Sequence, residues 1–160
     1  METTPLAQRL IRNLASADLQ RQERAPLYDT QCASLSVGSA ASKLGASIDI
    51  VAPGKRGCPY HYHLAQEEMF VIIEGVGSLR VAGELLPVRA GDVIFIPPGP
   101  EYPHQLINTS DAPLKVLSIS TQERPELCVY PDSGKTAAFA KGHGLVQREA
   151  ANLDYWDGEP

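Results

Sequence analysis

G-C-P-Y-H-Y-H-L-A-Q-E-E-M-F-V-I-I-E-G, residues 57–75, is the stretch whose reading decides the fold of this 160-residue chain. Two histidines, His61 and His63, stand two apart in a run with Tyr60 and Tyr62. Side chains alternate faces along a strand, so both imidazoles leave the same side. Leu64 to Glu67 read as a turn, and Glu68 opens a second apolar run, Met69 to Ile73, that Glu74-Gly75 closes. A hairpin there returns Glu68 beside the two histidines. Two imidazoles and a carboxylate on one inner face form a ligand set suited to Zn, Mn, Fe(II), Ni or Cu.

A fourth ligand has to come from another strand, because a closed sheet brings sequence-distant inward positions together. Gly91-Asp92 is a turn, Val93 to Ile96 is a short β-rich run, Pro97-Pro98-Gly99 breaks it, and His104 heads another run that ends at Asn108. Three of the four histidines in the chain lie in these two segments.

At these residues the chain resembles the cupin family. The family's first motif, a glycine, five residues, His-x-His, three or four residues, Glu, six residues and Gly, falls on His61, His63, Glu68 and Gly75. Its second, Gly, five residues, Pro-x-Gly, two residues, His, three residues and Asn, falls on Gly91, Pro97, Gly99, His104 and Asn108. Two positions depart from the pattern. Lys55 stands where the leading glycine belongs, and four residues rather than two separate Gly99 from His104, so that Tyr102 occupies the histidine's place by strict count. His104 is preferred because its spacing to Asn108 holds and tyrosine is a poor ligand at neutral pH. Y-P-D-S-G-K at 130–135 and Y-W-D-G-E near the end also resemble small single-domain bacterial cupins.

The resemblance implies an all-β fold, a double-stranded β-helix or jelly-roll barrel with a short N-terminal helical segment. It implies one divalent metal ion per chain, Zn, Mn, Fe or Ni, held by His61, His63, Glu68 and His104. It implies a small-molecule ligand or substrate and a homodimer. The reactions it brings are oxygenation, decarboxylation or isomerisation of a small polar acid or sugar derivative. The alternative is a non-enzymatic binding cupin with a structural metal. Epimerase-type cupins without metal use a His and acid pair and seldom keep all four ligands, which sets them aside.

Composition bounds the rest. The chain is 43% hydrophobic and 21% charged, which is ordinary for a globular domain, and its length suits one domain with a core of its own. A formal charge of −5 argues against nucleic acid as a partner. No apolar run approaches the ~18 residues of a membrane span, and no signal-peptide core is evident, so the expected location is cytoplasmic. Cys32, Cys58 and Cys128 are an odd count without C-x-x-C and read as reduced thiols.

Along the chain, Leu6, Leu10 and Leu14 predict one amphipathic helix within residues 5–24, or two short ones broken near Asn13. From Gln31 the chain changes to short runs between Gly, Pro, Asn and Asp. Strands are expected at 33–37, 46–51, 58–63, 68–73, 78–81, 85–89, 93–96, 104–107 and 114–120, a pattern of an all-β sandwich or barrel. A further strand is expected near 127–130 and an irregular tail over 141–160. The resulting division is an N-terminal helical arm (1–30), a barrel (31–130) and a C-terminal strand and tail (131–160) packed on the barrel or on a partner subunit.

Phe70 and Ile72 share the inward parity of Glu68, whereas Met69, Val71 and Ile73 are apolar on the opposite face, which calls for a cover from the N-terminal helix or a second subunit. Glu67 alternates to the solvent side. Glu101 and Tyr102, on the loop before His104, are the candidates for a general acid or base. Cys58, three positions before His61, is expected to point away from the site as a packed thiol. Arg56, Arg80 and His143 read as surface residues. No Gly-x-Ser-x-Gly elbow or complete phosphate loop supports nucleophilic or nucleotide chemistry.

Overall fold

The computed structural model describes residues 5–148 and 153–159. Its thirteen strands are β1 (Gln20–Arg24), β2 (Tyr28–Ser34), β3 (Leu44–Val51), β4 (Tyr62–His63), β5 (Glu68–Glu74), β6 (Val76–Val81), β7 (Glu84–Arg89), β8 (Val93–Ile96), β9 (His104–Ile107), β10 (Leu114–Thr121), β11 (Glu126–Tyr130), β12 (Lys135–Ala140) and β13 (His143–Arg148). They form a six-stranded sheet in the order β1-β2-β3-β10-β5-β8, a four-stranded sheet β13-β12-β11-β4 and a three-stranded sheet β7-β6-β9. Every pairing between these strands is antiparallel. The all-β expectation holds, and among the described residues the helical content is one short helix, α1 (Leu6–Leu10), and a 3-10 turn at Leu14–Ser16.

Alternation divides each strand of the large sheet between two faces. Inward, Val51, Phe70, Ile72, Ile96, Leu114 and Val116 pack with Leu79, Val88 and Leu106 as one buried core. Outward, Ala33, Leu35 and Ile48 form a second layer beneath Leu14, Ala17 and Leu19 of the N-terminal segment. That cover stops short of β5 and β8. Leu6 and Leu10 of α1 are exposed, as are Ile73, Val93 and Phe95 at the far side of the same outer face.

Three expectations are corrected. The helical reading of 5–24 holds only up to the 3-10 turn that Asn13 caps through its side chain, because Q-R-Q-E-R pairs as β1 with β2, Gln20 opposite Cys32 and Arg24 opposite Tyr28. The tail beyond 141 is not wholly irregular, since β13 pairs with β12 along its full length. The strand expected at 58–63 is reduced to β4, because Pro59 lacks the N–H that a ladder needs.

Several motif residues serve the backbone. Gly75 has φ +87°, and a Cβ there would lie 2.5 Å from the Pro113 carbonyl oxygen. Asn108 is wholly buried. Its Nδ2 donates to the carbonyls of Val51 (2.9 Å) and Ala112 (2.7 Å), and its Oδ1 accepts from the backbone and hydroxyl of Ser110. Gly75→Ala is therefore expected to lower unfolding free energy by about 2 kcal/mol or more, through left-handed strain plus a backbone clash, measured by urea denaturation against the wild type.

Candidate metal centre

His61 and His104 face each other across a two-residue bridge in which each backbone N–H donates to the other's carbonyl, at 3.1 and 2.7 Å. His63 lies on β4 and Glu68 opens β5. Gly99 N–H donates to the His63 carbonyl (2.8 Å), which ties the loop of the second motif to the first. The two residues beyond the family spacing are taken up in the turn that leads to β9, where Tyr102 N–H returns to the Gly99 carbonyl.

The four side chains meet at one oxygen. Glu68 Oε2 lies 2.8 Å from His104 Nε2, 3.5 Å from His63 Nε2 and 3.7 Å from His61 Nε2. The opposite ring nitrogens are all engaged outward. His61 Nδ1 donates to the Pro59 carbonyl (2.8 Å), His104 Nδ1 to the Tyr102 carbonyl (3.0 Å) and His63 Nδ1 to the Glu126 carboxylate (3.1 Å). Acceptors without protons require the proton on Nδ1, so each neutral ring turns an Nε2 lone pair toward Glu68. Among the described residues, Glu68 Oε2 and His104 Nε2 are buried without a hydrogen-bond partner. Lone pairs aimed at a buried carboxylate repel unless a cation or a proton lies among them. The donor set thus fits a divalent ion, and His61, Glu68 and His104 offer ligand atoms within 4.8 Å of one another.

Glu126 is a site residue with no local signal in the sequence. It is 2% exposed, and besides His63 its carboxylate accepts from the backbone N–H groups of Leu64 (3.1 Å), Ala65 (3.0 Å) and Gln66 (2.9 Å). One carboxylate orients a histidine and pins the turn between β4 and β5. Cys128, two residues further on and opposite His63 in the ladder, forms a second group with His61 and His63. Burial pushes its thiol up to about 11.

A cavity of about 240 Å³ opens against the cluster, walled by His61, Glu68, His104, Phe70 and Cys58 on one side and by Ser47, Asp49 and Ser118 on another. Cys58 therefore faces the site, contrary to expectation: residues 58–61 are not a regular strand, so alternation does not apply, and its Sγ lies 3.8 Å from His61 Nδ1. Phe70 walls the cavity as expected, Ile72 belongs to the core, and Glu67 is exposed. Glu101 and Tyr102 are exposed and line no part of this cavity. Only the Tyr102 main chain reaches the cluster, through His104. Arg80 is not a free surface cation, for it pairs with Asp132 at 2.6 and 2.9 Å and lies 3.7 Å over the Tyr60 ring.

Residues 47–120 match the family model for the cupin domain. Those residues form a cupin domain. The chain is similar in structure to a candidate sugar phosphate isomerase from Acidithiobacillus ferrooxidans, with a TM-score of 0.81 and 19% identity over 94% of this chain and 99% of that one. It is also similar to a sugar phosphate isomerase of the cupin superfamily from Silicibacter pomeroyi, with a TM-score of 0.76 and 23% identity over 92% and 94% of the two chains. At these identities the likeness is one of fold. An uncharacterized protein of Methanocaldococcus jannaschii is 40% identical over 60 residues, which are 38% of this chain and 46% of that relative. The match thus spans about half the length of the curated relative. Among the described residues no helix is long and apolar enough to cross a membrane.

Burial and the neighbouring His104 push the His61 imidazole down from 6.5 to about 4. A base with a lowered folded value stabilises the fold fully above pH 6.5 and loses that contribution as pH falls toward 4, where the unfolded chain takes the proton and the folded one does not. Chelator-treated protein is expected to lose about 3 kcal/mol through this group across that window. His61→Asn should flatten that part of the profile when urea denaturation is compared at both ends.

Proposed function

We propose that His61, His63, Glu68 and His104 hold one divalent metal ion and that the protein is a metal-dependent enzyme acting on a small polar acid or sugar derivative. The observation that carries this reading is the shared tautomer: three Nδ1 protons are spent on outward acceptors, and three Nε2 lone pairs face one buried carboxylate oxygen. The ion, when bound, supplies a Lewis acid for a carbonyl or carboxylate oxygen. The chain supplies the rest. Glu126 fixes the His63 ring, the carbonyls of Pro59 and Tyr102 fix His61 and His104, and Phe70 keeps one wall apolar.

Oxygenation, decarboxylation and isomerisation all suit such a site, and the two relatives described as sugar phosphate isomerases support isomerisation among them. Exposure of Glu101 and Tyr102 favours the second reading, a binding barrel with a structural metal, unless another group in the cavity handles protons. Asp49 is the acid within the cavity that answers this objection.

A homodimer is part of the proposal. The exposed Val93 and Phe95 continue the outer face of β5 at the uncovered edge of the large sheet, and a second copy would bury them. Phe95→Glu should shift the sedimenting species to a monomer; an unchanged sedimentation coefficient, or a wild-type monomer, would reject the interface.

For the metal, His104→Ala is expected to leave well under half the wild-type metal per chain after dialysis, with circular dichroism unchanged. Glu126→Gln should weaken affinity about 10- to 100-fold by releasing the His63 ring. Full occupancy in the His104 variant, read by elemental analysis, would refute the assignment.

A further inference from the structure

The inward face of the large sheet carries a polar strip that the metal ligands do not explain. Ladder register orders it. Glu68 on β5 pairs with Ser120 on β10, Phe70 with Ser118, Ser118 with Ser47 on β3, and Asp49 with Cys32 on β2. All these side chains share one face. At its centre Ser47 Oγ (2.8 Å) and Ser118 Oγ (3.1 Å) both donate to Asp49 Oδ2. Oδ1 accepts no hydrogen bond among the described residues and is left for the cavity. Asp49, Gly57 and Cys58 also wall a neighbouring chamber of about 240 Å³ bounded by Gln22, Arg24 and Thr30. The Thr30 hydroxyl there is buried without a partner among the described residues. Arg24, the one cation lining that chamber among the described residues, gives Nη1 to the Glu23 carbonyl (2.7 Å).

We infer that Asp49, held by Ser47 and Ser118, forms a hydroxyl-binding subsite that selects a hydroxylated monocarboxylate over a dicarboxylate of the same length. This rests on the metal reading, which places the ligand's acid end at Glu68 and the histidines. Ser118 is one inward position beyond Ser120, about 7 Å along the strand from the level of Glu68, and Asp49, opposite Val116 one inward position further, leans back to that level through its bond with the Ser118 hydroxyl. A two-carbon acid is too short to touch both ends, whereas a four-carbon polyhydroxy acid spans them, its carbons over Phe70. Two hydroxyls donating to Oδ2 favour the ionised carboxylate against the burial that raises its pKa, and Oδ1 meets the ligand's far end as an acceptor. A hydroxyl donates to it; a second carboxylate is repelled.

The test is calorimetric titration of the Mn(II)-loaded protein at neutral pH with glycolate, L-threonate and L-tartrate, the last two differing only in a terminal CH2OH or carboxylate. Wild type is expected to bind threonate about tenfold or more tighter than either glycolate or tartrate. Asp49→Ala should bring threonate to the level of glycolate. Asp49→Asn, which keeps an acceptor for both serines and loses the charge, should raise tartrate affinity about tenfold while glycolate stays unchanged in all three proteins. The same threonate-to-tartrate ratio in all three proteins, with glycolate bound, overturns the subsite and leaves the metal reading standing. Failure of the wild type to take up Mn(II), or of the loaded protein to bind glycolate, overturns the metal reading and the subsite with it.

Discussion

An ionised carboxylate inside a β-barrel is the constraint around which this molecule is arranged. Glu68 lies among three imidazoles, its Oε2 shut off from water. Burial alone would push its carboxyl up, and it is positive charge among the imidazoles, His104 foremost, that holds it below its ordinary range. An uncompensated buried charge costs several kcal/mol, so the barrel has to keep positive charge within reach of that oxygen. Rigid placement of the rings meets the requirement. Two rings hang from a reciprocal backbone bridge, and the third is held by a carboxylate that is itself fixed by three backbone N–H groups.

The cavity has two unlike walls. One is built from His61, just before β4, with β5 and β9, and bears three of the four ligands. The other is built from β3 and β10 and bears hydroxyls and an acid. Motif residues are concentrated on the first, and many of them serve geometry: Gly75 admits a close carbonyl, Asn108 braces the turn after β9, and Gly99 joins the two motif loops. A barrel meeting those demands can keep its metal wall while the facing wall varies, which separates the chemistry supplied from the ligand admitted.

Local physics made the first wall legible. His-x-His on one face, a turn of four residues and Glu68 at the head of an apolar run locate three of the four converging side chains, and the resemblance to the family's second motif, through the His104-x3-Asn108 spacing, locates the last. Readings failed where the information was not local. Glu126 lies 63 residues from the ring it orients. The β1 stretch is entirely polar and exposed, so no periodicity marked it as a strand; its partner β2 does. Alternation misplaces Cys58 because it is carried across Pro59, outside the strand that covers only Tyr62 and His63. Glu101 and Tyr102 adjoin His104 in sequence, yet the fold leaves both exposed on the turn before β9 and outside the cavity wall.

Asp49 could not be found by pattern either, since Ser-Ile-Asp-Ile-Val reads as an ordinary alternating strand whose polar residues belong outside. The hidden step is which face is inside: Ile48 fills the outer layer beneath the N-terminal segment, so Ser47 and Asp49 are the inward residues. Packing alone would prefer an aliphatic side chain there, as at Val51 and Val116, its neighbours in the cavity wall. An acid at that position costs desolvation that two serine hydroxyls only partly offset. Polar groups kept in a core against stability are the expected mark of a site, and in this barrel that mark extends beyond the metal ligands to the wall opposite them.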